Sequence, residues 1–278
     1  MKENLLNSDF IQEIIHITTH MSKNGWHEKN SGNLSYRLAD DEVNYYNLGQ
    51  LSTGRIKKID VDLKALKGQY FVVTGSGKYF KNMFKKPCLN LGIIKILENN
   101  KYEIIWGLED GTNPTSELYT HLLLHIERQK INSNNRVVMH SHPTYLLAMT
   151  FIHDLNEIGF TKTLWKTCTE AIVVFPDGVK VLPWMLCGTK EIGLKTAEAI
   201  KKSRAVVWAN HGIFVTGNDI DEAYGLIETI EKSANIYMLI KDSKTINEIS
   251  DENLKELANY FKVNVEEKYF IKGENNEK

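Results

Sequence analysis

Apolar residues return every three or four positions from Phe10 through Ile11, Ile14, Ile15, Thr18 and Met21, the period of a helix with one buried face. Ser8 or Asn7 is placed to cap it, and it should end near Gly25. A polar loop over residues 26–33 gives way to alternation at Leu34, Tyr36 and Leu38, a strand. Residues 40–69 show no period and read as a polar surface excursion. Residues 70–73 form a short apolar strand running into Thr74-Gly75-Ser76-Gly77-Lys78. Residues 91–98 and 102–107 alternate around Asn99-Asn100-Lys101, a hairpin signal. A helix follows from about Pro114 to Lys130, with Thr115 or Ser116 as its cap and Leu118, Leu122 and Ile126 along one face.

The second half repeats this vocabulary. An apolar strand occupies 136–143, short helices follow near 146–151 and 155–167, and 169–175 reads as another apolar strand before the Pro176-Asp177-Gly178 turn. An amphipathic helix over 189–202 and strands at 206–208 and 213–216 precede the longest helix, 219–240, and a last one near 251–261. The segment from Lys272 is too polar to pack and is expected to be disordered. With no internal repeat and no linker, residues 1–278 read as a single α/β domain.

Composition narrows the class. The chain has 278 residues, 42% hydrophobic and 25% charged, with a net charge of −1. Lysines are spread along it, so no basic footprint for nucleic acid exists. No apolar run reaches the ~18 residues of a membrane span, and the N-terminal stretch lacks the apolar core of an export signal, so a cytoplasmic protein is expected. Cys88, Cys168 and Cys187, odd in number and far apart, read as reduced packing thiols.

The chemistry concentrates at Arg136-Val-Val-Met-His140-Ser-His142-Pro143. Side chains alternate along a strand, so His140 and His142 point the same way, and Pro143 ends the strand where a site can open. His211 closes a second apolar run. Three neutral imidazoles suit Zn²⁺ and leave a fourth position for substrate. Taken alone, the His-x-His pair fits two hydrogen-bonded histidines equally well. His16 with His20 and His121 with His125 are rival pairs spaced by four on helices, and both read as solvated or packed helix residues. Three stretches can receive an anion: the amide-rich loop at 26–33, the glycines of 74–78 and the helix start at 114–117. The second is no P-loop, since its leading glycine is missing and Tyr79 replaces the Mg²⁺-binding hydroxyl residue. Glu117 by itself reads as a carboxylate favoured by the helix dipole.

The order of these stretches resembles the class II aldolase family, zinc enzymes that cleave sugar phosphates. The likeness rests on Gly-Trp-His-Glu-Lys-Asn30-Ser-Gly-Asn33, Thr74-Gly-Ser76-Gly77-Lys-Tyr-Phe, Pro-Thr115-Ser116-Glu117, His140-Ser-His142, Thr-Glu170-Ala-Ile-Val-Val-Phe-Pro-Asp-Gly and Asn-His211-Gly, and runs to at least residue 240. Ser31 stands where the family pattern has Gly, and Ser141 and Pro143 where it has Cys and Ala, all beside the expected ligands rather than at them. The resemblance implies a three-layer α/β/α sandwich around a mainly antiparallel sheet. It implies cleavage of a ketose 1-phosphate to dihydroxyacetone phosphate and L-lactaldehyde through a zinc-stabilised enediolate, with one Zn²⁺ per subunit on His140, His142 and His211. Glu117 would be the acid/base. Asn30, Asn33, Ser76, the Gly77 amide, Thr115 and Ser116 would hold the phosphate. Glu170 would reach from a neighbouring subunit of a homotetramer.

Alternatives of the same fold are an L-fuculose-1-phosphate aldolase and an L-ribulose-5-phosphate 4-epimerase. Chain length, tryptophan content and the Thr74–Phe80 stretch weigh against both. An adducin-like interaction module should have lost the metal ligands, whereas the three histidines and Glu117 all stand here.

Overall fold

In the computed structural model, residues 5–271 are described, and the segment from Lys272 expected to be disordered lies outside them. The strands are β1 Asn33–Arg37, β2 Arg55–Lys58, β3 Tyr70–Thr74, β4 Leu91–Ile96, β5 Lys101–Gly107, β6 Val137–Ser141, β7 Lys180–Leu182, β8 Ala205–Trp208 and β9 Gly212–Gly217. They form one sheet in the order β2-β5-β4-β3-β1-β6-β9-β8-β7. Every pairing is antiparallel except β7 with β8. The principal helices are α1 Asp9–Lys23, α2 Leu118–Ile131, α3 Thr144–Ile152, α4 Glu157–Thr167, α5 Lys190–Ile200, α6 Ile220–Ile240 and α7 Asp251–Tyr260.

Alternation along the strands sorts side chains into two cores. Leu34, Tyr36, Val72, Ile93, Val137, Met139 and Val215 meet α1, α3, α4, α6 and α7 through residues such as Ile14, Met149, Leu164, Ile227 and Leu254. On the opposite face Phe71, Val73, Ile94, Val138 and Phe214 meet α2 and α5 through Leu122, Leu124, Ile192 and Ile200. The result is the three-layer α/β/α sandwich with a mainly antiparallel sheet. His140 falls on the second face, stacked on Phe214 with ring centroids 4.3 Å apart. No helix among the described residues is long and apolar enough to cross a membrane.

Three local expectations are corrected. Residues 169–175 are not a strand: Ala171–Val174 is a helical turn, with Val174 N–H donating to Glu170 O at 2.9 Å. A short apolar run has no distinguishing period, and here Ala171, Ile172 and Phe175 are buried at a helical spacing. The 40–69 excursion contains a short helix, Asp40–Tyr45, and the edge strand β2, and it buries Leu48, Leu63 and Leu66. An edge strand with one neighbour and solvent on both faces shows no apolar alternation. Finally, α2 begins at Leu118, and Glu117 itself occupies the N-cap position without making a side-chain cap bond. Thr115 instead closes the preceding turn, its hydroxyl accepting Glu117 N–H at 3.3 Å.

Candidate metal centre and its carboxylate

Sheet register assembles the site at the centre of the sheet. β1 and β6 place Asn33 directly opposite His140, and β6 and β9 place His140 opposite Phe214. Strand β8 ends at Trp208, and the tight Ala209-Asn210-His211 turn into β9 brings His211 back beside β6. Asn210 takes a left-handed φ of 60° in that turn.

The three histidines expected as ligands converge. His142 Nε2 lies 3.2 Å and His211 Nε2 3.4 Å from His140 Nε2, and a ligand atom from each of the three falls within 4.8 Å of the others. His140 Nδ1 donates to Ile213 O at 3.0 Å, and His142 Nδ1 to the Glu28 carboxylate at 2.9 Å, which leaves both Nε2 atoms bare. Two lone pairs facing each other at that distance repel unless a cation sits between them. Burial, reinforced by the neighbouring His142, pushes His211 down to about 4 and lowers His140 well below the usual imidazole value, so both are neutral and able to ligate a metal. Residues and spacing fit a divalent metal.

Glu117 stands above this cluster, its Oε2 3.8 Å from His140 Nε2. It is buried, and burial raises its pKa, an effect partly offset by the Asn33 amide, which donates to Oε2 at 2.6 Å. A carboxyl whose charged form burial disfavours takes up a proton more readily than an exposed one, which suits it to exchange one with substrate.

The phosphate candidates divide. Asn33, Ser76, Gly77, Thr115 and Ser116 belong to segments stitched together: Thr115 N–H donates to Thr74 O at 2.9 Å, Ser76 N–H to Asn113 O at 2.9 Å, and Gly75 bridges Pro114. Gly77 has a left-handed φ of 70° and an open side, so its backbone is accessible. Asn30 lies exposed on the loop before β1, and its side chain makes no hydrogen bond to the other candidates. Glu170 is exposed and accepts from the Cys168 thiol at 3.1 Å, with no contact to the histidine cluster of its own chain. Sequence reasoning assigned no role to Glu28, an exposed acid within the 25–33 stretch, or to His27, buried with Nε2 3.3 Å from His140 O. It also read His121 and His125 as solvated or packed helix residues. They are buried, and both bond to Ser35.

The chain belongs to the family described as the class II aldolase and adducin N-terminal domain, whose sequence signature spans residues 12–238. It is 46% identical over 272 residues to rhamnulose-1-phosphate aldolase of Listeria innocua, covering 97% of this chain and 99% of that one. It is 47% identical to the Enterococcus faecalis protein of the same name over 262 residues, 94% of each chain. Among solved structures, a sugar-phosphate aldolase from Thermotoga maritima superposes with a TM-score of 0.74 at 26% identity, covering 85% of this chain and 97% of that one.

Proposed function

We propose that the protein cleaves L-rhamnulose 1-phosphate to dihydroxyacetone phosphate and L-lactaldehyde. The observation that carries this reading is a buried carboxylate, Glu117, 3.8 Å from one of three converging imidazoles, in a chain 46% identical to a rhamnulose-1-phosphate aldolase over nearly its whole length. His140, His142 and His211 would hold Zn²⁺. Tetrahedral ligands at ~2.0–2.1 Å stand about 3.3 Å apart; the two separations from His140, 3.2 and 3.4 Å, are compatible with that, and all three ligand atoms lie within 4.8 Å of one another. A metal held by these residues would supply a Lewis acid that stabilises the charge left on the substrate when C3–C4 breaks.

Cleavage leaves the bonding electron pair on C3 and turns the C4 hydroxyl into an aldehyde, so one proton leaves that oxygen and another must reach C3. Glu117 delivers the second proton, and in the synthetic direction removes it. Asn30, Asn33, Ser76, the Gly77 amide, Thr115 and Ser116 hold a phosphate that is retained rather than transferred, for which neutral donors suffice. Glu170 is assigned to the oxygen that loses its proton, reaching from a neighbouring copy in a cytoplasmic homotetramer. Its exposure, and a side chain bonded to Cys168 rather than to its own chain's histidines, support that assignment.

The test is release of dihydroxyacetone phosphate from L-rhamnulose 1-phosphate, read before and after chelation and after restoring Zn²⁺. Release that vanishes and returns with metal is expected. No release from the zinc-restored protein would overturn the substrate assignment, and the fuculose and ribulose phosphates would be tried next. Glu117→Gln should keep its metal and lose turnover, whereas His142→Ala should lose both. Light scattering at four chain masses is the outcome expected for the assembly.

A further inference from the structure

Beneath Glu117 runs a polar chain that the proposed reaction does not itself call for. Glu117, His121 and His125 are spaced by four along the α2 segment, and Asn33 and Ser35 by two along β1. Four helical residues rise about 6 Å and two strand residues about 6.6 Å, so the two stripes stay in step. Each strand side chain therefore meets two helix side chains. Asn33 bonds both Glu117 and His121, and Ser35 Oγ bonds His121 Nδ1 at 2.7 Å and His125 Nε2 at 2.8 Å. All five residues are buried, between Phe71 on one side and Phe214 on the other. Polar groups in such a layer are costly unless bonded, and apolar side chains would fill it more cheaply.

The direction of these bonds follows from the groups. A carboxylate oxygen only accepts, so Asn33 turns its Nδ2–H to Glu117 and its oxygen to His121. That oxygen accepts in turn, so His121 carries its proton on Nε2 and offers a bare Nδ1 to the Ser35 hydroxyl. Ser35 Oγ, having donated, accepts from His125 Nε2–H. If Glu117 takes up the exchanged proton on its other oxygen, Oε2 still accepts from Asn33. Nothing along the chain has to reorganise during turnover.

We infer that Ser35, His121 and His125 are positioning residues, a one-directional hydrogen-bond chain that locks the Asn33 amide and, through it, the Glu117 carboxylate in the orientation proton exchange at C3 requires. The inference rests on the acid/base reading of Glu117, and the experiment separates the two. The reporter is exchange of the C3 hydrogen of dihydroxyacetone phosphate for solvent deuterium, followed by NMR beside cleavage kcat, KM and bound metal.

His121→Phe keeps an aromatic ring and removes both nitrogens. It should slow exchange and kcat about tenfold or more, with KM within about twofold and metal content unchanged. His121→Gln, which returns an N–H toward Asn33, should recover most of the loss. In a Glu117→Ala background, His121→Phe should cost nothing further, whereas a merely structural role would stay additive. If Glu117→Ala exchanges at the normal rate, the acid/base reading fails. If that variant is inactive while folded His121→Phe exchanges normally, the positioning inference alone fails. Should His121→Phe not fold, ring ¹⁵N shifts of the unsubstituted protein decide: Nε2–H tautomers at His121 and His125 are expected, and an Nδ1–H proton on His121 overturns the chain.

Discussion

A Cβ at Gly212 would stand 2.3 Å from Ser141 O and 2.8 Å from His142 Cδ2. Ser141 O belongs to the β6 backbone, so the neighbour left to give way is the His142 ring, which turns away from its Glu28 partner. Gly212→Ala should therefore strip the metal by displacing His142, and metal content after dialysis is the check. Undiminished metal would show that the strand yields instead. Glu28 acts on the same ring from outside: its carboxylate fixes the tautomer that leaves Nε2 bare. Glu28→Ala should weaken metal binding about 10- to 100-fold, measured by competition with a chromophoric chelator. At this scale the histidines were legible because strand alternation alone sends His140 and His142 the same way. Glu28 was not, since nothing in a loop sequence ties an exposed acid to a residue 114 positions away.

Elements were legible where a local signal decides them. The Asn99-Asn100 hairpin takes left-handed φ values of 57° and 56° at both residues, the conformation asparagine tolerates. Asp219, at the expected start of the longest helix, accepts Glu222 N–H at 2.7 Å as the N-cap of α6. Asp219→Ala should lower stability by ~0.5–2 kcal/mol in urea unfolding and leave metal affinity untouched, because α6 lies in the helix layer across the sheet from the Glu117 carboxylate. A changed metal affinity would mean that the two layers are coupled. Where two elements must be aligned, the signal was split. The spacings Glu117-His121-His125 and Asn33-Ser35 are both visible in the chain, yet only the register of α2 over β1 makes them one network. The turn at Ala171–Val174 failed for a different reason, since four apolar residues suit either a strand or one turn of helix.

The antiparallel sheet was beyond the pattern of apolar positions, because strands buried on both faces look alike in either orientation, and the family resemblance supplied that choice. A consequence of burying polar residues on one face is a whole-molecule sensitivity to acid. Burial pushes His27 and His121 down to about 3 and also lowers His125 and His140 well below the usual imidazole value. A base with a depressed folded pKa stays neutral while the unfolded chain takes up its proton, so stability is full above pH ~6.5 and is lost as pH falls toward ~3. At pH 5 the unfolded imidazoles lie about 1.5 units below their pKa, a cost of about 2 kcal/mol for each of His27 and His121. Together that is a large part of a typical 5–15 kcal/mol. Glu117 and Glu231, whose pKa values burial raises, act in the opposite sense, losing stability as pH rises above ~4.5, but they are outnumbered by the histidines. Urea unfolding of the metal-free protein should therefore give a free energy level above pH 7.5 and falling below pH 6.5, with a slope of two or more protons. A free energy that stays flat to pH 5 would mean the buried histidines are charged or solvated in the folded chain.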